Sequence, residues 1–130
     1  MITTKRVYDK PAKEDGFRVL VDRLWPRGLT KEKARVDLWM KEIGPSDALR
    51  KWFHHEAGGW LEFEKRYRAE LKNQEQLLTE IRRLEKEHGK VTLLFGSKDK
   101  TQNQAVVLAE ILSGKSGPPK KAVSAPKTKK

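Results

Sequence analysis

Two short apolar runs constrain the fold of this chain more than any other feature. Residues 19–21 (VLV) and residues 91–95 (VTLLF) lack the polar alternation of a strand that faces water on one side. Such runs are typical of strands covered on both faces, as in a parallel sheet flanked by helices. The sequence therefore predicts two buried strands, at residues 17–24 and 91–95, lying side by side and parallel.

Helical patterns occupy much of the remaining chain. Apolar residues recur at helical spacing in five segments, and a further β-rich segment covers residues 2–8. The expected helices are residues 31–43 capped by Thr30 and ended by Gly44, a short helix after Ser46 that breaks at Gly58-Gly59, residues 60–71, residues 77–88 ended by Gly89, and a last helix to Leu112. For the last, Asp99 and Gln102 resemble a capping box. The expected fold is α/β: a small, mostly parallel sheet flanked by about five helices in a single domain.

The loops that follow the two buried strands are the expected site, because ligands of such sheets bind beyond the carboxyl ends of the strands. Residues 23–28 carry Arg23 and Arg27, with Trp25 and Gly28 beside Pro26, which restricts the backbone. Two guanidinium groups on a stiff loop suit a phosphate or a carboxylate.

The second loop, residues 96–101, offers complementary groups. Gly96 permits close approach of a ligand, Ser97 is a donor, Lys98 is a point charge, and backbone N–H groups are expected at a helix start. Asp22 and Asp99 are the candidates for acid–base chemistry. The structural alternative is that Arg23 pairs with a nearby carboxylate, Trp25 packs in the core and Asp99 only caps a helix.

The charge of the chain is uneven. The formal net charge is +11, but residues 113–130 contribute six lysines and no acid, which leaves +5 for residues 1–112. We predict a domain at residues 1–112 followed by a basic, disordered tail with weak, sequence-independent attraction to nucleic acid. The other basic side chains are predicted to form mostly a solvated face: Lys31, Lys33, Arg35, Lys41, Arg50 and Lys51.

Several classes of function are excluded by composition. There is no cysteine, so disulfides and thiolate chemistry are absent, as suits a cytoplasmic protein. No apolar run approaches the ~20 residues of a membrane span, and the first ten residues lack the apolar core of a secretion signal. His54 and His55 have no third ligand nearby in sequence, so no metal site is predicted. No cofactor motif is present.

Three segments together carry a resemblance to a known family. The segments RVLVDRLWPRGL, PSDALRKWF and VTLLFGSKD followed by NQAVVLAEIL are similar to the domain of unknown function 488 (DUF488) family, in its short YeaO-like branch, over residues 2–112. The resemblance implies no established activity. It points to recurring positions at Arg6, Asp22, Arg23, Trp25, Pro26, Arg27, Gly28, Ser46, Leu49, Arg50, Trp52, Phe53, Tyr67, Lys98, Asp99 and Asn103.

Longer relatives are expected to carry two cysteines and a histidine near the second buried strand. This chain has Phe95 and Asn103 near the cysteine positions and Gln104 near the histidine position, so the residues for thiol or imidazole chemistry are absent there. The residues that remain are an arginine loop facing a Lys-Asp loop.

The sequence thus favours binding of an anionic small molecule, with catalysis left open and no cofactor or membrane involved. Arg23, Trp25, Arg27, Gly28, Ser97, Lys98 and Asn103 are the expected binding residues, and Asp22 and Asp99 the expected catalytic ones. The alternatives are a nucleic-acid-associated or regulatory protein that uses basic helices and the tail, and a scaffold that uses the tail as a tether.

Overall fold

The fold is built on a parallel sheet of four strands. In the computed structural model, which describes residues 1–55 and 59–114, the strand order is β1-β4-β2-β3. The strands are β1 (Ile2–Arg6), β2 (Phe17–Leu20), β3 (Leu38–Trp39) and β4 (Val91–Phe95), and the helices are α1 (Lys31–Ala34), α2 (Asp47–His55), α3 (Trp60–Leu71), α4 (Glu75–His88) and α5 (Gln104–Leu112). The α/β prediction is confirmed, including the parallel pairing of the two buried strands, which places Val19 opposite Leu93.

The main core lies on one face of the sheet. Val19, Val91 and Leu93 are fully buried there against apolar residues of α2, α3, α4 and α5. On the other face, Leu20 and Leu94 pack with Ala34 of α1 and with Trp25. Coverage of both faces explains why the strand sequences show no polar alternation.

The predicted helix over residues 31–43 was wrong. It ends at Ala34, because Arg35 adopts a left-handed conformation with φ 50°. The backbone N–H groups of Asp37 and Met40 then donate to the carbonyl groups of Arg18 and Leu20, which adds β3 to the edge of the sheet. These hydrogen bonds to a distant strand replace the helical ones. Gly44 is extended, with φ −66°, and ends no α-helix.

Two other boundaries differ from the prediction. Strand β2 ends at Leu20, although the N–H of Val21 still donates to the carbonyl of Leu94 at 3.0 Å. Helix α5 begins at Gln104, and its N-cap is Asn103, whose side-chain oxygen accepts from the Val106 N–H at 3.0 Å. Asp99 instead accepts from the N–H groups of Thr101 and Gln102 within a separate turn.

Replacing Asn103 by Ala is expected to lower the free energy of unfolding by about 1 kcal/mol, the usual cost of losing an N-cap. Asn103 is buried, and its amide also donates to the Asp99 carbonyl at 2.8 Å. Urea denaturation followed by circular dichroism measures the change. The exposed Asp99→Ala is the comparison and is expected to be milder, and a larger loss in Asp99→Ala would contradict the assignment of the cap.

Candidate functional site

A cavity of about 460 Å³ opens beyond the carboxyl ends of β2 and β4. Its volume lies within the range of about 300–1,000 Å³ common for small-molecule sites. The described lining residues come from four parts of the chain: Asp22, Arg23 and Leu24 after β2; Pro45, Arg50 and Phe53 at α2; Phe63 of α3; and Gly96, Ser97, Lys98, Gln102, Asn103 and Gln104 after β4.

Asp22 joins the two loops in the cavity wall. Its carboxylate accepts from the Gly96 N–H at 2.8 Å and from the side-chain amide of Gln104. Gly96 leaves room for this contact, because a Cβ there would lie 2.9 Å from the Asp22 oxygen. Burial raises the pKa of Asp22 to about 6, and the two hydrogen bonds only partly oppose that rise.

Arg23 is hydrogen-bonded to the segment that precedes α2. Its Nε donates to the carbonyl groups of Pro45 at 2.8 Å and of Gly44 at 3.2 Å. The expected alternatives for this residue were an anion or a local carboxylate, and its described hydrogen bonds go to backbone carbonyl groups instead. Arg23 therefore adds positive charge to the cavity, while its N–H donors stabilise residues 44–45.

Arg50 and Lys98 bring two further cations to the cavity. The Nη2 of Arg50 donates to Asp47 at 3.0 Å, but its Nε is buried and has no hydrogen-bond partner among the described residues. Lys98 is exposed and lies in the loop after β4. A buried donor without a partner is costly unless a ligand or water supplies an acceptor.

The loop after β4 is held by its own chain and by β1. The carbonyl of Ser97 accepts from Arg6 Nε at 2.8 Å, and its hydroxyl accepts from the Asp99 N–H. The helix start expected in this loop lies further along the chain, because α5 begins at Gln104, and the Gly96 N–H donates to Asp22.

Four predicted site residues lie elsewhere. Trp25 packs with the smaller core cluster, and its indole N–H donates to the Leu29 carbonyl at 2.7 Å. Arg27 and Gly28 are exposed and are not among the described residues that line the cavity. Asp99 is also exposed and outside the lining, and hydrogen bonds from the N–H groups of Thr101 and Gln102 lower its pKa.

The structure thus brings together Asp22, Arg23, Ser97, Lys98 and Asn103. A family model described as "Inactive DUF488-N3 subclade" matches residues 1–127. The chain belongs to the DUF488 family. The resemblance found in the sequence is therefore confirmed.

Relatives of this DUF488 chain cover almost the same length. "Uncharacterized protein YeaO" of Escherichia coli strain K12 is 47% identical over 111 residues, which is 85% of this chain and 96% of the relative. "Uncharacterized protein Mb3100c" of Mycobacterium bovis is 39% identical over 114 residues, which is 88% of this chain and 95% of the relative. No solved structure matches the chain significantly.

Residue-by-residue reasoning missed three parts of this DUF488 site. Arg50 was assigned to the solvated face, and Phe53 and Gln104 were given no binding role. The i, i+3 spacing of Arg50 and Phe53 puts them near each other on α2 and is the one local signal for the pair. The family resemblance did mark both positions, although it gave them no role.

The described residues contain no group of three histidine, cysteine or acidic side chains placed to hold a metal ion. The side chains of His54 and His55 lie outside the described residues. None of the described helices is long and apolar enough to cross a membrane.

Proposed function

We propose that this DUF488 protein binds a small anionic molecule, bearing a carboxylate or a phosphate, in the cavity beyond β2 and β4. Three cationic side chains line the cavity: Arg23, Arg50 and Lys98. They come from three separate parts of the chain, and carboxylate and phosphate oxygens are the natural partners of such groups. The apolar rings of Phe53 and Phe63 complete the wall and would exclude water from a bound ligand.

The observation that carries the proposal is the buried Nε of Arg50. Its described surroundings supply no acceptor, whereas the Nη2 of the same guanidinium is bonded to Asp47. Leaving such a donor unsatisfied costs about 1–3 kcal/mol. Arg50 lines the cavity with 34% of its side chain exposed, so a rotation of its guanidinium would let an anionic oxygen in the cavity accept from the Nε, and ligand binding would recover that free energy.

The family description supports binding rather than turnover, because the matching model is named as an inactive subclade. The lining agrees with this proposal in one respect. Among the described residues that line the cavity, Asp22 alone carries a carboxyl group, and its oxygens are bonded to Gly96 and Gln104. A second acid is therefore lacking for paired acid–base chemistry within the described wall.

The test is a thermal-shift titration of the full chain with inorganic phosphate and with benzoate. Ionic strength is matched throughout with sodium chloride, because a chain of net charge +11 attracts any anion. At ten times its Kd, a ligand is expected to raise the Tm by about 5 °C. Arg50→Ala and Lys98→Ala are each expected to weaken binding about tenfold.

Arg27→Ala is the matched control, since it removes one exposed positive charge without touching the cavity. It is expected to bind the probe like the native chain. Equal loss of the shift in Arg27→Ala and Arg50→Ala would show non-specific attraction. Absence of any shift with either probe would refute the proposal.

The nucleic-acid alternative stays a prediction, as does the scaffold alternative. The basic tail, residues 113–130, is expected to act in both alternatives, and its residues 115–130 lie outside the described residues. Deleting that segment and measuring duplex DNA binding at two salt concentrations separates an effect of the tail from one of the domain.

A further inference from the structure

The charged side chains that line the cavity, taken together with Asp47 beside Arg50, have a net charge of +1. Arg23, Arg50 and Lys98 contribute three, and the carboxylates of Asp22 and Asp47 oppose two of them. The Nε of Arg23 already donates hydrogen bonds to backbone carbonyl groups. One negative charge on a ligand is therefore neutralised, whereas the several charges of a di- or triphosphate would exceed what these cations can balance.

The cavity also has apolar lining residues. The rings of Phe53 and Phe63 lie with centroids 4.5 Å apart, and both line the cavity together with Pro45. Leu24 stands at the rim with 60% of its surface exposed. A ligand with a flat apolar body would cover this surface and pack against the rings.

Asp22 supplies a hydrogen-bond acceptor to the same cavity. Each carboxylate oxygen has two lone pairs, and each receives one described hydrogen bond, from Gly96 or from Gln104. One acceptor position on each oxygen remains for a ligand. An O–H or N–H group is favoured there, while a second anionic group is repelled.

We infer that the ligand is a monoanionic aromatic carboxylic acid that also carries an O–H or N–H donor. Its carboxylate pairs with Arg50 and Lys98, its ring lies against Phe53, and its donor bonds to Asp22. This inference rests on the anion-binding function proposed above and narrows it to one chemical class.

The experiment is isothermal titration of the full chain, at fixed ionic strength, with benzoate, the three hydroxybenzoates, the three methoxybenzoates and inorganic phosphate. One hydroxybenzoate is expected to bind about tenfold more tightly than benzoate and than its methoxy counterpart. The methoxy group matches the hydroxyl in position and accepts hydrogen bonds, but it cannot donate to Asp22. In Asp22→Asn the preference for the hydroxyl is expected to fall below about threefold, with benzoate bound at least as well as by the native chain.

The outcomes separate this inference from the function on which it rests. Equal binding of benzoate and all hydroxybenzoates would refute the inferred donor group on the ligand. An unchanged hydroxyl preference in Asp22→Asn would refute the role of Asp22 as its acceptor. Binding of phosphate without any aromatic acid would overturn the ligand class and leave the anion-binding proposal intact. If no probe binds, the proposed function fails as well.

Discussion

Replacing Asp15 by Ala is expected to destabilise the fold by about 3 kcal/mol, as is usual when one partner of a buried ion pair is removed. Asp15 and Arg18 are 7% and 4% exposed, and their side chains form a buried ion pair. Lys5 also contacts the carboxylate, at 3.1 Å. Without Asp15, the Arg18 guanidinium stays buried with only the backbone carbonyl groups of Ala34 and Arg35 as partners.

Urea denaturation at pH 7 measures this loss, and a decrease in Tm of about 10 °C is expected. Asp9→Ala is the matched control, because Asp9 pairs with Lys100 at 3.5 Å on the exposed surface. Its effect is expected to stay below about 0.5 kcal/mol. The double variant Asp15→Ala/Arg18→Met should be less destabilised than Asp15→Ala, since it leaves no buried guanidinium. A double variant that is less stable than the single one would contradict this account.

Replacing Asp22 by Asn is expected to stabilise the chain above pH 6, although Asp22 lies in the candidate site. Burial raises its pKa from 3.8 to about 6, so the folded state binds this proton more tightly than the unfolded state. The stability due to Asp22 is therefore complete below about pH 3.8 and is lost as the pH rises through about 6. Allowing for partial exposure, the ionised group costs about 2 kcal/mol at pH 7.5.

The Asn side chain avoids this cost because it is neutral at every pH. Its oxygen can still accept from Gly96, and the amide of Gln104 can rotate to accept from it. Urea denaturation of both proteins at pH 4.5, 6 and 7.5 gives the difference, which is expected to be about 0.7 kcal/mol at pH 4.5, to reach most of its final size by pH 6 and to level off at about 2 kcal/mol. Parallel stability profiles for the two proteins would show that the ionisation of Asp22 is not responsible.

Stability and binding are thus expected to conflict at Asp22. A carboxylate held in a partly buried wall is unfavourable for the fold, and its charge also gives the cavity an acceptor for a ligand donor. Residues kept at such a cost are characteristic of functional sites. The same substitution therefore tests two separate quantities, the free energy of unfolding and the preference for a hydroxyl group.

Local pattern was enough to predict the buried strands and most of the helices. An apolar run such as residues 91–95 has to be covered on both faces, whatever elements cover it. Helices α3 and α4 follow from apolar stripes, and the left-handed Gly89 ends α4 as predicted. Parallel pairing of β2 and β4 then places the loops after them at one edge of the sheet.

Local pattern failed where long-range hydrogen bonds compete with helical ones. Residues 35–40 have helical spacing, yet Asp37 and Met40 bond to the backbone of β2. Asp99 is a different case, because its spacing to Gln102 resembles a cap but its hydrogen bonds close a local turn, while Asn103 caps the helix. For residues 35–40, the preferred partners are backbone groups that only folding brings near.

From sequence alone came the family, the class of fold, and the edge of the sheet at which to look for a site, because apolar periodicity and strand direction are local properties. The sequence also named five residues that line the cavity, Asp22, Arg23, Ser97, Lys98 and Asn103, but only the tertiary structure excluded Arg27 and added Arg50. Arg27 is only four residues from Arg23 in sequence but does not line the cavity, whereas Arg50 of α2 does. The physical reason is packing: the position of α2 over the sheet depends on the whole core, which no single segment of the chain encodes.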